Sequence, residues 1–252
     1  MVSDNSSSIW STVPGRPFVS ASAGNDSVVG SSGAFNITQV DIDKCTGQNV
    51  TSLQHVAWDG TVTGDAVQVN GHLLGCGAST APYSLTLWVP SALPSHVAFY
   101  LDILSPAQAT NPLKKLYFQY ASHSSEDFYG LGAQASFASL KNQSIPIFSR
   151  EQGAGRGDQP ITDIENVNGS IAGGSQFTTY TAVASYVTTD GNVFSLSNKS
   201  TGYANFDLTI PEAVTVRYVS IKPIALAKDL AAYVFFRIVS VLMVCSARPG
   251  TC

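Results

Sequence analysis

Apolar and polar residues alternate along many short segments of this chain, and residues typical of turns separate the segments. Residues 83–88 (YSLTLW), 116–120 (LYFQY), 206–210 (FDLTI) and 214–218 (VTVRY) each carry apolar side chains at every second position. This period of two is typical of a strand with one buried face. Up to about residue 222, Ser, Thr, Gly and β-branched residues dominate and helical periodicity is poor. The pattern predicts an all-β fold, an antiparallel β-sandwich.

Three segments of different character divide the chain. Residues 1–14 are rich in serine, and we expect them to be loose. Residues 15–222 contain the alternating segments without an internal repeat or a clear linker, so we expect one sandwich domain there. Residues 223–252 form a divergent apolar tail that includes ALAKDLAAYVFFRIVSVLMVC, and a short packed or frayed helix is favoured for it. Arg237 interrupts this apolar run, which is too short to span a bilayer, so membrane association is not expected.

Glycine and charged residues gather in one stretch, although charged residues make up only 12% of the chain. Residues 128–160 read FYGLGAQASFASLKNQSIPIFSREQGAGRGDQP. A glycine-rich, charged loop between apolar segments is a common place for binding residues, because a rigid scaffold can hold such a loop in position. This stretch is therefore the first candidate for a functional site.

Three blocks in this region resemble a known enzyme family. FYGLGAQ, LKNQSIPIFSREQGAGRGDQPIT and FTTYTAVASYVTTDGNVFSL follow one another and are similar to glycoside hydrolase family 31, nearest its α-glucosidase and sulfoquinovosidase-like branch. The similarity covers about residues 113–220. The resemblance is to the N-terminal β-sandwich of the family, and it implies a galactose-mutarotase-like sandwich.

The resemblance also implies a function in carbohydrate metabolism. The family hydrolyses α-glycosidic bonds with retention, using an aspartate nucleophile and an aspartate acid/base in a (β/α)8 barrel that follows the sandwich. A barrel needs on the order of 250 residues, so we expect this chain to be truncated before the barrel and to lack catalytic residues. In the parent enzyme the sandwich would support the barrel and lend a loop to the carbohydrate pocket. A free-standing carbohydrate-binding module and a decayed gene fragment are the alternatives.

Specific loop residues follow from the same resemblance. In the family the corresponding loop extends towards the barrel mouth, where planar polar side chains would donate hydrogen bonds to sugar hydroxyls. The alternative is a network of arginines and carboxylates that only fixes the loop, and both interpretations stay open. The family usually has an acidic residue where this chain has Ala133. The substrate-side candidates are Arg150, Glu151, Gln152, Arg156, Asp158 and Gln159.

Composition and spacing argue against several other functions. The net charge is −4 and no basic cluster exceeds Lys114-Lys115, so nucleic-acid binding is not expected. The glycine-rich stretch lacks the Lys-Ser/Thr of a phosphate-binding loop. The four histidines and four cysteines show no metal-ligand spacing, so neither a metal nor a cofactor is expected. Trp10, Trp58 and Trp88 are candidates for a sugar platform, although core placement is favoured for such bulky rings.

Two features bear on the compartment. Cys45 and Cys76 either form a disulfide in an oxidising compartment or are buried free thiols. The N-terminal residues lack the apolar core of a secretory signal, yet seven of the twelve asparagines head Asn-x-Ser/Thr sequons. With Ser and Thr near a fifth of the chain, about two or three would do so by chance. These observations leave the cellular compartment open, although the excess of sequons favours the secretory route. The sequon asparagines are Asn5, Asn25, Asn36, Asn49, Asn142, Asn168 and Asn198.

Overall fold

The fold is seen in a computed structural model, which describes residues 2–4, 7–31, 34–57, 65–77, 79–89, 96–103, 111–133, 136–149, 159–169, 174, 177–198, 202–220 and 230–235. Strands account for nearly all regular structure in these residues. They are β1 (Val2–Asp4), β2 (Ser7–Trp10), β3 (Val19–Ser22), β4 (Ser27–Ser31), β5 (Ala34–Thr38), β6 (Gly47–Ala57), β7 (Asp65–Cys76), β8 (Ser79–Trp88), β9 (His96–Ile103), β10 (Lys115–Ala121), β11 (Phe128–Gly132), β12 (Ser144–Ile147), β13 (Ala182–Thr188), β14 (Val193–Asn198), β15 (Gly202–Asp207), β16 (Ala213–Ser220) and β17 (Leu230–Phe235). One helix, α1, runs from Ile161 to Val167.

Two large antiparallel sheets form the body of the fold. One has five strands in the order β12-β15-β16-β10-β3, and the other has eight in the order β11-β13-β14-β17-β9-β8-β7-β6. Two separate hairpins, β1-β2 and β4-β5, complete the described strands. The predicted all-β antiparallel sandwich is confirmed.

Alternation along the strands explains why the two sheets pack together. On β10, Leu116, Phe118 and Tyr120 are buried in the main core, as the period of two predicts. Aromatic rings from opposite sheets meet there: Tyr186 of β13 packs edge-on against Phe206 of β15 with 5.8 Å between ring centroids. Edge-to-face contacts of this kind add to the free energy gained by burying the rings.

The C-terminal segment contributes a strand to this sandwich. Leu230–Phe235 is β17, and it pairs antiparallel with β14 on one side and β9 on the other. The helix favoured for the tail is therefore wrong for these residues. An unbroken apolar run fits a strand inside a sheet as well as a buried helix, and hydrogen bonding to two neighbouring strands decides between them. The rest of residues 223–252 lies outside the described part.

The N-terminal segment includes the β1-β2 hairpin, whose strands pair antiparallel. Just beyond it, the carbonyl of Ser11 accepts a hydrogen bond from the amide of Ala121, with 3.0 Å between N and O. This bond joins the segment to the end of β10. The domain boundaries expected after residues 14 and 222 stay predictions.

A strap, defined by residues 24–31 and 34–43, lies over the outer face of the five-stranded sheet and carries the β4-β5 hairpin. A bridge between Ala23 and Ile42 closes its base. Gly24 begins it with φ of +99°, a backbone conformation that L side chains rarely adopt, and a Cβ there would lie 2.3 Å from the carbonyl of Val40. Just after the strap, Cys45 forms a disulfide with Cys76 at the end of β7, which settles the alternative left open by the sequence.

Candidate functional site

The candidate loop consists of residues 150–158, and the segment that leads into it, its first stem, is held beside Ala133. After β12 the chain reaches Ser149, which forms a single parallel bridge with Thr179. Thr179 is fully buried, and its Oγ1 lies 3.3 Å from the carbonyl of Ala133 and 3.2 Å from that of Thr181. The amide of Ala133 also donates to the Thr181 carbonyl at 2.9 Å. The loop therefore leaves the sandwich from a position held by three chain segments.

The second stem is the start of α1, where Gln159 pairs with Asp163. The Oε1 of Gln159 accepts from the backbone N of Asp163 at 3.3 Å, and its Nε2 donates to Asp163 Oδ1 at 3.1 Å. The first N–H groups of a helix lack partners within the helix, and Gln159 provides one. This contact favours the structural interpretation for Gln159. The other five candidates, Arg150, Glu151, Gln152, Arg156 and Asp158, lie outside the described residues.

Glu126, a carboxylate of the same charged region, has structural partners. It is 4% exposed, and its Oε1 accepts from Asn192 Nδ2 at 3.2 Å, while its Oε2 accepts from the amide of His123 at 3.3 Å. Lys141 Nζ donates to the carbonyls of His123 and Glu126, both at 2.8 Å. Together these bonds hold the β10-β11 turn against the β13-β14 turn.

The largest concentration of buried charge lies elsewhere, between the strap and the five-stranded sheet. Lys115 is fully buried, and its Nζ lies 2.7 Å from Asp26 Oδ1 and 3.1 Å from Asp41 Oδ1. It also donates to the carbonyl of Val40. Arg217, 3% exposed, pairs through Nη2 with Asp26 Oδ2. Both ends of the strap therefore bind the same lysine.

Hydroxyl groups complete this cluster and influence its protonation. Tyr117 donates to Asp41 Oδ1 at 2.5 Å, Ser22 Oγ donates to the same oxygen at 3.0 Å, and Tyr203 donates to Asp26. Burial alone would raise the pKa of both aspartates, but these hydrogen bonds and Lys115 hold the two pKa values below the ordinary value of an aspartate. Burial and the bond to Asp41 raise the pKa of Tyr117 to about 12. The aspartates are thus ionised at neutral pH and the tyrosine is a donor.

This charged cluster was not predicted from the sequence. Lys115 and Arg217 occupy positions that alternate with the core residues of β10 and β16, and such positions normally face water. The strap covers them instead. The sequence features that come closest to predicting it are two aspartates that flank a hairpin, Asp26 and Asp41, and the double lysine Lys114-Lys115 on a later strand. The cluster holds two cations and two carboxylates, so its arrangement fits clamping of the strap rather than binding of a charged ligand.

The remaining sequence candidates fall into different places. Trp88 is 6% exposed and packs with Ala66 and Ala98 in a small separate cluster, so it offers no open sugar platform. Trp58 lies outside the described residues, and the side chain of Trp10 is not described. His123 is largely exposed and pairs with Asp190 at 2.8 Å. Within the described ranges, no group of three or more His, Cys, Asp or Glu side chains could hold a metal ion.

No helix among the described residues is both long and apolar enough to cross a membrane.

No family model matches the chain, but comparison with known proteins shows similarity to several individual proteins. The sulfoquinovosidase of Escherichia coli (strain K12) is 28% identical over 98 residues, which are 39% of this chain and 14% of that protein. A GH31 family sulfoquinovosidase from E. rectale, solved with the aza-sugar inhibitor IFGSQ, matches 88% of this chain with a TM-score of 0.62 and 18% identity. An α-N-acetylgalactosaminidase from Bifidobacterium bifidum covers 90% of this chain and 31% of its own, with a TM-score of 0.44 and 10% identity.

The first two of these similarities confirm the resemblance to glycoside hydrolase family 31. The curated sequence match and the stronger structural match are both to a sulfoquinovosidase. At 18% identity, the structural match shows a shared fold. The chain spans 14% of the length of the first enzyme and 28% of the second, so it corresponds to a part of each.

Proposed function

We propose that this chain is the β-sandwich portion of a retaining α-glycosidase of the family 31 type. In this proposal the sandwich supports a catalytic barrel and contributes the loop between β12 and α1 to the substrate pocket. The observation that supports this proposal is that 88% of the chain matches the sulfoquinovosidase from E. rectale at a TM-score of 0.62, whereas the match accounts for only 28% of that enzyme. The chemistry of glycoside hydrolysis would belong to the remaining part.

Glycoside hydrolysis requires a nucleophile and an acid/base, and we assign neither of them to the sandwich. A retaining glycosidase holds its nucleophile and its acid/base about 5 Å apart on either side of the scissile bond. In the family the resemblance places both aspartates on the barrel. Glu126 is buried among its own structural partners, which is consistent with a supporting domain. We expect the 252-residue chain alone to release no sugar from an α-glycoside.

The proposed role of the loop is to bind substrate hydroxyls. Guanidinium and amide groups present several donors in a fixed plane, which suits neighbouring hydroxyls of a sugar ring. Gln159 is already paired with Asp163, so the loop residues between the two stems are the better candidates. They are Arg150, Glu151, Gln152, Arg156 and Asp158.

An exposed apolar face next to the loop supports the proposed contact with a barrel. Ile161, Ile164 and Val167 recur at every third position of α1, which brings them towards one side of the helix. They are 52%, 54% and 87% exposed. Large apolar side chains grouped in this way on a surface are typical of a contact with another domain or protein. We propose that the barrel covers them.

The test is to recover the native protein with an antibody raised against residues 15–222 and to assay the precipitate on p-nitrophenyl α-glycosides and a sulfoquinovoside. We expect glycosidase activity to be recovered with the antigen. The recombinant 252-residue chain is the matched control, since it should bind the same antibody and show no turnover. Native antigen without activity would contradict the proposal, and calorimetric sugar binding by that antigen would instead favour a carbohydrate-binding module.

A further inference from the structure

Among the asparagines whose side chains are described, those in sequons are more exposed than most of those outside sequons. The side chains of five sequon asparagines are described, and all five are exposed: Asn25, Asn36, Asn49, Asn142 and Asn168. Outside sequons, Asn205 is buried, Asn70 and Asn192 are half-buried, and Asn111 is exposed. The excess of sequons noted in the sequence therefore coincides with positions that a modifying enzyme could reach.

The disulfide is a second and independent indication of the compartment. Cys45 and Cys76 are 2% and 6% exposed and are joined as a disulfide within the folded sandwich. Structural disulfides of this kind persist in secreted proteins and in the lumen of the secretory route, whereas reducing compartments keep thiols reduced. The same lumen is where Asn-x-Ser/Thr sequons are glycosylated.

Asn36 lies where a glycan would cover apolar surface. It is exposed on β5 of the strap and pairs in register with Val29 on β4. Residues directly opposite each other on antiparallel strands place their side chains on the same face, with Cβ atoms about 5 Å apart. Val29 is 64% exposed on this face. A two-stranded hairpin is only marginally stable by itself, so shielding this valine from water and from other molecules would help to protect it.

Asn49 lies where a glycan would block a sheet edge. It is on β6, which among the described strands is the last of the eight-stranded sheet in the order β9-β8-β7-β6. Its Oδ1 accepts from the amide of His72 at 2.8 Å, which leaves its Nδ2 without a hydrogen-bond partner among the described residues. An exposed edge strand can pair with another chain, and proteins usually obstruct such edges. A branched polar sugar on β6 would be an obstruction of that kind.

We propose that Asn36 and Asn49 are N-glycosylated and that their glycans shield the strap and the free edge of β6. The donor would be an oligosaccharide linked to a polyprenyl diphosphate. The Nδ2 of each asparagine forms a bond to C1 of the first sugar and loses one proton, while the bond between C1 and the phosphate oxygen breaks and the polyprenyl diphosphate leaves. Asn168 is not included, because it is next to Val167 on the apolar face of α1 that we propose the barrel covers.

The test uses the protein isolated from the cells that naturally produce it. Peptides are treated with an N-glycosidase in ¹⁸O water, which converts each glycosylated asparagine to an isotope-marked aspartate that mass spectrometry can locate. We expect the mark at Asn36 and Asn49. Asn111 is the matched control, because it is exposed but is followed by Pro112 and Leu113 and has no sequon. Unmarked asparagine at both Asn36 and Asn49 would overturn the proposal.

Two substitutions at Thr38 separate the sequon from the local structure. Thr38→Ser keeps the Asn36 sequon, whereas Thr38→Ala removes it and leaves Asn36 itself unchanged. Expressed in the same cells, the serine variant should be marked at Asn36 and the alanine variant should not. The alanine variant should also self-associate at lower protein concentration in sedimentation experiments, because Val29 is then uncovered. Equal self-association of the two variants would refute the shielding role.

Discussion

The ammonium nitrogen of Lys115 lies 2.7 Å from Asp26 Oδ1, and these two side chains are 0% and 2% exposed. Lysine is almost never buried to this degree unless it is paired. Arg217 binds the second oxygen of the same carboxylate, and Asp41 binds the same lysine. Lys115, Arg217 and Asp26 are all buried, so the loss of Asp26 leaves two buried cations with only the partly exposed Asp41 as a nearby carboxylate. Asp26 is therefore the residue on which attachment of the strap depends most.

We predict that Asp26→Asn lowers the free energy of unfolding by about 3–5 kcal/mol at neutral pH, as is typical when one partner of a buried ion pair is removed. The substitution keeps the shape of the side chain but leaves Lys115 and Arg217 with less negative charge nearby. Urea unfolding followed by tryptophan fluorescence measures the change. Asp43→Asn is the matched control. Asp43 is an exposed acid at the end of the strap that accepts from Asn111 at 2.9 Å, and its substitution should change stability by less than about 0.5 kcal/mol. Equal effects of the two substitutions would contradict the assigned role.

The same carboxylates predict how stability depends on pH. The pKa values of Asp26 and Asp41 are lowered in the folded protein from the ordinary value of an aspartate, which is about 3.9 in the unfolded chain. Their contribution is therefore fully present above about pH 4 and is lost as the pH falls through the lowered folded values. We expect the urea midpoint to fall steeply below about pH 4, and to fall less steeply in an Asp26→Asn, Asp41→Asn double variant. The same slope in both proteins would mean that other groups control acid unfolding.

The fold class could be predicted because alternation reports directly on burial. Residues 116–120 and 214–218 predicted strands with one apolar face, and β10 and β16 are neighbouring strands of one sheet. The segment Leu230–Phe235 was mispredicted because its apolar residues do not alternate. Only the backbone pairing with β14 and β9, which are distant in sequence, identifies it as a strand.

The Lys115 cluster and the role of Gln159 were harder to predict, because both depend on contacts between segments that the sequence pattern does not show. Position 115 alternates with core positions and therefore looks exposed in the sequence, yet Asp26 and Asp41 come from a hairpin about 75 to 90 residues earlier and bury it. For Gln159 the sequence allowed both substrate contact and structural pairing. The contact with Asp163, four residues later, favours the second.

We predict that the Cys45–Cys76 disulfide contributes about 3–4 kcal/mol to stability, because it joins two cysteines 31 positions apart and so restricts the unfolded chain. Unfolding by urea with and without dithiothreitol measures this contribution. The Cys45→Ala, Cys76→Ala double variant should unfold at the lower midpoint in both conditions. A midpoint of the unsubstituted protein that is insensitive to the reductant would show that the bond is absent or makes no net contribution.

Gly71 permits a close approach of strands that no other residue would allow. A Cβ at this position would lie 1.9 Å from the carbonyl oxygen of Asn49 on β6 and 2.8 Å from a ring carbon of Tyr83 on β8. Since the backbone oxygen cannot move without breaking the β6-β7 ladder, we predict that Gly71→Ala lowers stability by more than about 3 kcal/mol, beyond the usual range for one added methyl. Gly47→Ala is the control from the same ladder, because its Cβ would meet only Leu74 Cβ at an ordinary 3.8 Å. The chemical denaturation midpoint should drop sharply for the first variant and stay close to that of the unsubstituted protein for the second. If both midpoints stay unchanged, β6 and β7 do not pair in this register.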